Sequence, residues 1–461
     1  MNSSKVFDTF LDTISENKLI KDGDSVLIAL SGGADSAVML DMFVRLKSEM
    51  NVSIEAVHIN HMFRNAADRD EDFCRTLCAR HNIPFHFRRI DVLSLSKKLG
   101  IGFEECGRKV RYEVFSEIMN DRGIALCATA HNRDDNAETI ILNFVRGASL
   151  KGLSGIPYRR GNIIRPILDI KKADILSYAG EENIAFVTDE TNTDTTYTRN
   201  FIRHEIIPRI EKINPSFADT LSKNASGYLR DDIYLTSLAQ NILDKADIFS
   251  SYIKMPLCDL SVLDEAVLSR VVYLACERIS GKTPDSTAAA RAMNAIYNAH
   301  GNFEETLFGD VILEISYGNA YFVKKTEPEN FEIELNLPHG EAVFEAAGIK
   351  IEYSLKQYSK KSIKDYGFIY LNYDIMSGRV FFAPRREGDT IKPFGGSGTR
   401  SIKRFMQDNR IPKFLRPHLP LLKCGNDVMW ASPIRRIHND YAAKEDTKKV
   451  LSIKISKINT P

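Results

Sequence analysis

The period of the hydrophobic positions changes along the chain. Val6, Phe10 and Ile14, with Phe7 and Leu11 beside them, recur at helical spacing, which predicts an opening amphipathic helix that Asp22-Gly23-Asp24 turns out of. Ser25 to Leu30 is a short apolar run suited to a strand buried on both faces. A Gly-containing loop follows it, then an apolar-periodic helix from about Asp35 to Glu49. Ser53 to Ile59, Phe85 to Ile90 and Ile124 to Ala130 read as further strands, and Ala67 to His81 and Lys109 to Met119 as helices. Strands alternating with helices at this pitch predict an α/β unit with a parallel, helix-covered sheet.

After Pro208 the pattern changes. Ile213-Asn214-Pro215 is a break, and Ser216 to about His300 is rich in Leu, Ala, Asp and Lys without a clear strand, which predicts a mainly helical middle domain. Near Gly309 the character shifts again. Val311 to Val323, Phe331 to Leu335, Ala342 to Tyr353 and Phe368 to Tyr373 read as short strands between turns, the start of a small α+β C-terminal domain. The expected division is therefore 1–212, 213–308 and 309–461.

A length of 461 residues, 43% of them hydrophobic and 27% charged, suits roughly three folded units at about 150 residues each. The longest apolar stretches, such as Val26 to Leu30 and Val271 to Cys276, fall far below the roughly 18 residues of a membrane span, and the amino terminus lacks the apolar stretch of a secretory signal. A cytoplasmic address with no membrane partner is expected. Seven cysteines, none in a CxxC pair, argue for a reducing compartment and against a disulfide framework. A net charge of +1 gives no overall pull towards nucleic acid. Its distribution says more. Residues 385–436 hold twelve basic side chains against four acidic ones, an excess of +8 that leaves −7 for the rest of the chain. That segment is a candidate polyanion-binding end, with a solvated basic face as the alternative.

Four constellations carry chemistry. Ser31-Gly32-Gly33-Ala34-Asp35-Ser36 lies where the first strand ends and a helix begins, so unpaired backbone N–H groups point outward and the glycines let an anion approach the main chain. The hydroxyls add donors, and Asp35 is placed to hold magnesium or to position a phosphate through water. The loop itself holds no GKS or GKT, and the chain's Gly281-Lys282-Thr283 follows no strand-loop of this kind, so this is a pyrophosphate cradle of another type than a Walker A loop; a glycine-serine turn capping an ordinary helix is the alternative. In the second, Ala130 to Thr139 (AHNRDDNAET), Asn132 or Asp134 can cap a helix, and Asp135 and Glu138, three apart, share a face near its start. The two carboxylates could clamp an ammonium group and relieve it of a proton, although acidic residues are also simply favoured in a first helical turn. In the third, Arg108 and Arg111 in GRKVRY could reach triphosphate oxygens or be an exposed basic face. The fourth, His58 to Arg64 (HINHMFR), is better suited to adenine or substrate contacts than to zinc, because no carboxylate completes a ligand set.

SGGADS resembles the loop of the N-type ATP pyrophosphatases, the PP-loop superfamily. Together with HINHMFR at 58, GRKVRY at 107, AHNRDDNAET at 130, DETN at 189, RNFIRH at 199, RREGD at 385 and SIKRFMQDNRIP at 401, the chain resembles the tRNA(Ile)-lysidine synthases over nearly its whole length. Gly107 stands where alanine is common in that family, a change that removes no functional group.

The resemblance implies a PP-loop sheet and a ligase that uses ATP and magnesium. It would join L-lysine to the 2-position of the wobble cytidine in a CAU-anticodon tRNA(Ile), through an adenylated cytidine. It implies a nucleotide site at Ser31, Gly32, Gly33, Ala34, Asp35, Ser36 and His58, and catalytic roles for Asp35, Arg108, Arg111, Asp135 and Glu138. His131, Asp134, Arg199, Asn200, Arg203, Arg386, Lys403 and Arg404 would contact substrate. Arg199, Asn200 and Arg203 have a second reading, as ion pairs closing the catalytic domain. A homodimer is compatible with the sequence. A tRNA thiolase of the same superfamily and a non-catalytic nucleotide-sensing RNA-binding protein are the competing functions; the first generally needs a persulfide cysteine or a CxxC-held cluster, and that spacing is missing.

Overall fold

In the computed structural model, which describes residues 2–62, 67–188, 198–358, 367–396, 398–444 and 446–458, the opening periodic segment is helix α1 (Ser3–Glu16). Asn2 caps it by accepting from the Lys5 amide, and Val6, Phe7, Phe10 and Ile14 are its buried stripe. The elements β1 (Ser25–Ala29), α2 (Ala34–Leu46), β2 (Ser53–Asn60), α3 (Ala67–Arg80), β3 (Phe85–Arg89), α4 (Val92–Leu99) and α5 (Phe103–Arg122) follow. Next come β4 (Leu126–Ala128), α6 (Arg133–Val145), α7 (Leu150–Leu153), β5 (Arg159–Arg160), β6 (Ile163–Ile164) and α8 (Lys172–Glu181).

The strands form one sheet in the order β3-β2-β1-β4-β6-β5, parallel throughout except for the antiparallel pair β5 and β6. Along β1, Val26 and Ile28 face one layer, with Phe10, Phe43 and Tyr178, while Leu27 faces the other, with Val110, Val114 and Phe115. That alternation follows from the strand period of two, and it explains why the run reads as continuously apolar. The chain winds outward from β1 to β2 and β3, then returns to place β4 on the other side of β1. The loops leaving β1 and β4 therefore diverge at the carboxyl ends of these strands, which opens a crevice there.

Two boundaries differ from the sequence reading. α5 begins at Phe103 rather than near Lys109, because Gly102 adopts the extended N-cap conformation and Glu104 and Glu105 fill a favourable first turn. The strand expected at Ile124 to Ala130 shortens to Leu126–Ala128.

The chain divides into two compact units, Met1–Asp232 and Ile233–Pro461, with the division inside the helix Phe217–Leu243. In the second unit the helices Glu265–Ser280 and Ser286–Tyr297 pack on a five-stranded antiparallel sheet. Its strands, in spatial order, are Asp247–Ile248, Tyr252–Pro256, Asn319–Lys324, Val311–Ser316 and Phe303–Phe308. The stretch that reads as strand-free thus contains Tyr252–Pro256, a strand too short to show a period and paired with residues more than sixty positions later. The expected cut between 308 and 309 falls in the turn joining two hydrogen-bonded strands of this sheet. Two four-stranded sheets complete the unit around a core centred on Trp430, which is fully buried and donates to the Ile434 carbonyl. Among the described residues no helix is long and apolar enough to cross a membrane.

Candidate active site

The crevice at the ends of β1 and β4 is a cavity of about 470 Å³ lined by residues of all four constellations, among them Ser31, Asp35, His58, Arg111, His131, Asp135 and Arg199. Gly32 has φ +89°, a backbone conformation that favours glycine, and a Cβ there would press on the Cys74 sulfur on α3 at 3.3 Å. Gly33 is the N-cap of α2 and makes no side-chain cap bond, which leaves the amides of the first turn available to an anion. The turn is held from within. Ser36 Oγ donates to the Gly33 carbonyl at 3.0 Å, accepts from the Ser31 amide at 3.2 Å, and lies 3.1 Å from Ser31 Oγ; Ala34 completes the turn as the first residue of α2.

Asp35 lines the cavity but is not alone. Asn132 Nδ2 donates to one carboxylate oxygen at 3.1 Å and Lys172 Nζ to the other at 2.7 Å. His58 is buried, with Nδ1 2.9 Å from the Leu30 carbonyl, so one edge of the ring supports the main chain entering the cradle. Phe63 and Arg64 of the same motif, and the DETN stretch at 189, lie outside the described residues.

Helix α6 starts with a capping box: Asn132 Oδ1 accepts from the Asp135 amide at 3.0 Å, and Asp135 Oδ2 accepts from the Asn132 amide at 3.1 Å. This fixes Asp135 and, one turn later, the fully buried Glu138 on one face. Both meet guanidinium groups from the helical segment 198–211. Arg203 Nε donates to Glu138 Oε1 at 2.6 Å and Nη2 reaches Glu138 Oε2 at 3.1 Å and Asp135 Oδ1 at 3.3 Å. Arg199 donates to Thr139 Oγ1 at 2.6 Å and lies 3.5 Å from Glu138. Arg203 and Arg199 therefore face the acidic pair, while Arg199 also lines the cavity, and the pair expected to hold an ammonium carries a guanidinium in this structure. Asn200 lies in the same turn as Arg199.

Burial raises the Asp135 carboxyl despite the Asn132 amide, and burial likewise raises Glu138 against the opposing pull of Arg203. His131 is driven down to about 3 by burial and by the charges of Arg165, Arg199, Arg111 and Arg108, so it stays neutral at physiological pH, with Nδ1 3.1 Å from Thr129 Oγ1.

The two arginines of α5 part company: Arg111 lines the cavity, whereas Arg108 is absent from the lining and its guanidinium lies 5.8 Å from the centre of the Tyr112 ring. Asp134 is not in the lining. Its carboxylate accepts the Lys172 amide at 2.8 Å and so anchors the start of α8. Lys172 and Asp70, which also lines the cavity, had no motif to mark them.

In the second unit a cavity of about 650 Å³ is lined by six lysines and arginines, including Lys324, Arg385, Lys403 and Arg416, against three carboxylates. Lys403 lines it. Arg386 instead lies 3.7 Å from Glu332, and Arg404 is not in the lining.

Residues 4–210 match the family described as the PP-loop domain, and residues 380–454 the TilS substrate C-terminal domain. The chain is 31% identical to a tRNA(Ile)-lysidine synthase of Caldanaerobacter subterraneus over 455 residues, 97% of each chain. It is 31% identical to another from Clostridium tetani over 461 residues, 98% of each. A third, from Persephonella marina, is 31% identical and covers 97% of this chain and 99% of its own. With the nucleotide cradle, the acidic pair and the C-terminal basic cavity all present on one chain, and likeness running end to end, the protein belongs to the tRNA(Ile)-lysidine synthase family of C–N bond-forming ligases.

Proposed function

We propose that this protein joins L-lysine, through its ε-amine, to the 2-position of the wobble cytidine of a CAU-anticodon tRNA(Ile), consuming ATP and releasing AMP and pyrophosphate. One observation carries the reading: a single crevice is lined by a cradle for a polyphosphate and by Asp135 in the first turn of α6, with the buried carboxylate of Glu138 one turn behind it on the same face. The first-turn amides of α2, with Ser31 and Ser36, bind the pyrophosphate part of ATP. Arg111 faces the charge that builds at the α-phosphate as the cytidine 2-oxygen attacks it and pyrophosphate leaves.

The lysine ammonium then competes with Arg203 for Glu138 and Asp135. Its nitrogen must lose a proton before it attacks the activated carbon and AMP departs, since an ordinary lysine, with a pKa near 10.4, is almost wholly protonated at pH 7. Glu138, whose own proton affinity is raised by burial, is suited to receive it. Neutral His131 supplies a hydrogen-bonding edge without adding positive charge beside the amine.

No group of three or more His, Cys, Asp or Glu side chains converges among the described residues. Magnesium would therefore be held by Asp35 together with phosphate oxygens and water, and when bound it would offset phosphate charge. The basic cavity of the second unit suits an RNA backbone.

The test is mass spectrometry of nucleosides from a CAU-anticodon isoleucine tRNA incubated with the protein, ATP and labelled lysine. A lysine-bearing cytidine is the expected product. Label entering only from a sulfur donor, or pyrophosphate never released with all substrates present, overturns the proposal.

A further inference from the structure

Helix α8 begins with two lysines, Lys171 as N-cap and Lys172 as the first helical residue. A cation at a helix N-terminus opposes the helix dipole, so local preference argues against both. Each finds a carboxylate from elsewhere in the fold. Lys171 Nζ is 2.9 Å from Asp219, and Lys172 Nζ is 2.7 Å from Asp35. Lys172 is held there from both ends, since its amide donates to Asp134 while its ammonium reaches the cradle.

The cradle itself poses an electrostatic problem. Its amides invite a polyphosphate, yet Asp35 places a carboxylate in the same turn, where the like charge is felt as far as Asp135. An anion entering meets repulsion unless Asp35 is neutralised. A magnesium ion carried in with the nucleotide can do this, but only when the nucleotide is already there. Lys172 does it beforehand.

We propose that Lys172 is a positioning residue for the nucleotide site: its ammonium neutralises Asp35 so that the Ser31–Ser36 turn accepts a nucleoside triphosphate, and it shares with magnesium the work of balancing charge in the cradle. The inference deepens the function proposed above and rests on its nucleotide step alone, not on lysine or RNA.

The experiment is calorimetric titration of the full-length protein with a non-hydrolysable ATP analogue across a range of magnesium concentrations, without RNA or lysine. Lys172→Met is expected to weaken analogue binding at least tenfold at low magnesium, with the deficit shrinking as magnesium rises. Lys172→Arg keeps the charge and is expected to bind within about threefold of the unsubstituted protein. Asp35→Asn combined with Lys172→Met removes both charges and is expected to bind better at low magnesium than Lys172→Met alone. Thermal unfolding of all three variants tests whether they fold.

Binding by Lys172→Met equal to the unsubstituted protein at every magnesium concentration overturns the proposal. So does a deficit that magnesium leaves unchanged and that Lys172→Arg shares, because that pattern marks a structural role. Failure of lysine transfer with the expected titration results would sink the lysidine reading and leave this one standing.

Discussion

Glu138 has no exposed surface, and its ionised form is sustained by the Arg203 fork and the more distant Arg199. Truncating one partner of such a pair leaves the other without compensation, which is worth more than the net value of the bond. Arg203→Ala is expected to lower stability by about 2 kcal/mol. In a urea double-mutant cycle with Glu138→Gln, the coupling should be about 1–3 kcal/mol. Additive losses would mean that the fork contributes nothing in solution.

His131 makes a prediction in pH. Its folded-state pKa of about 3 lies below the ordinary value near 6.5, so above about pH 6.5 the ring is neutral both folded and unfolded. As pH falls below that, the unfolded chain takes up a proton that the folded one refuses, and this residue's contribution to stability is lost by up to about 1.4 kcal/mol per unit until about pH 3. His131→Asn should therefore lose less stability between pH 7 and pH 5 in chemical unfolding. An identical loss in both proteins would refute the assignment.

At the scale of elements, α5 shows how far local signals reach. Its arginine pair at positions 108 and 111 is legible as two residues on one helical face, but which of them turns into the crevice depends on how the helix lies on the sheet. Gly107 sits inside this helix, and a Cβ there would meet only Val92 Cγ1, at 3.8 Å, an ordinary contact. The glycine therefore confers backbone freedom on the unfolded chain without a steric need for it in the folded one. Gly107→Ala should stabilise the protein by about 0.5–1 kcal/mol, measured as a rise in the urea midpoint at constant slope. A fall would mean that the helix must flex there. α6 is the converse case. Its capping box is readable from Asn132 and Asp135 three apart, and it is what commits one Asp135 oxygen to the backbone while the other remains for a cation.

Across the whole molecule, long-range ties decide where charge ends up. Glu314 is buried on the five-stranded sheet, and its two oxygens accept the Lys413 and Phe414 amides at 2.8 and 3.0 Å, about one hundred residues away. This clamp holds the loop that carries Lys413 and Arg416 to the basic cavity. Glu314→Ala strands two amides and should cost about 2–3 kcal/mol, with faster hydrogen exchange at those two positions. Unchanged exchange there would show that the loop is held by other contacts. Within the basic segment, Lys423 is buried against Asp389, at 2.8 Å, so part of the charge excess read from composition is structural and unavailable to RNA.

The sequence alone determined the strand-helix alternation, the glycine-bearing turn and the residue types of each constellation. These depend on backbone conformation and on periodicities of two to four residues, which a local reading resolves. Only the tertiary structure decided that β1 and β4 are neighbours and so bring the cradle and Asp135 to one crevice. It also decided that Arg203 closes on that pair, that Lys172 meets Asp35 137 positions away, and that Tyr252–Pro256 is a strand. Pairings of this kind arise when distant segments bury their apolar faces together. The charges that meet as a result follow no spacing along the chain.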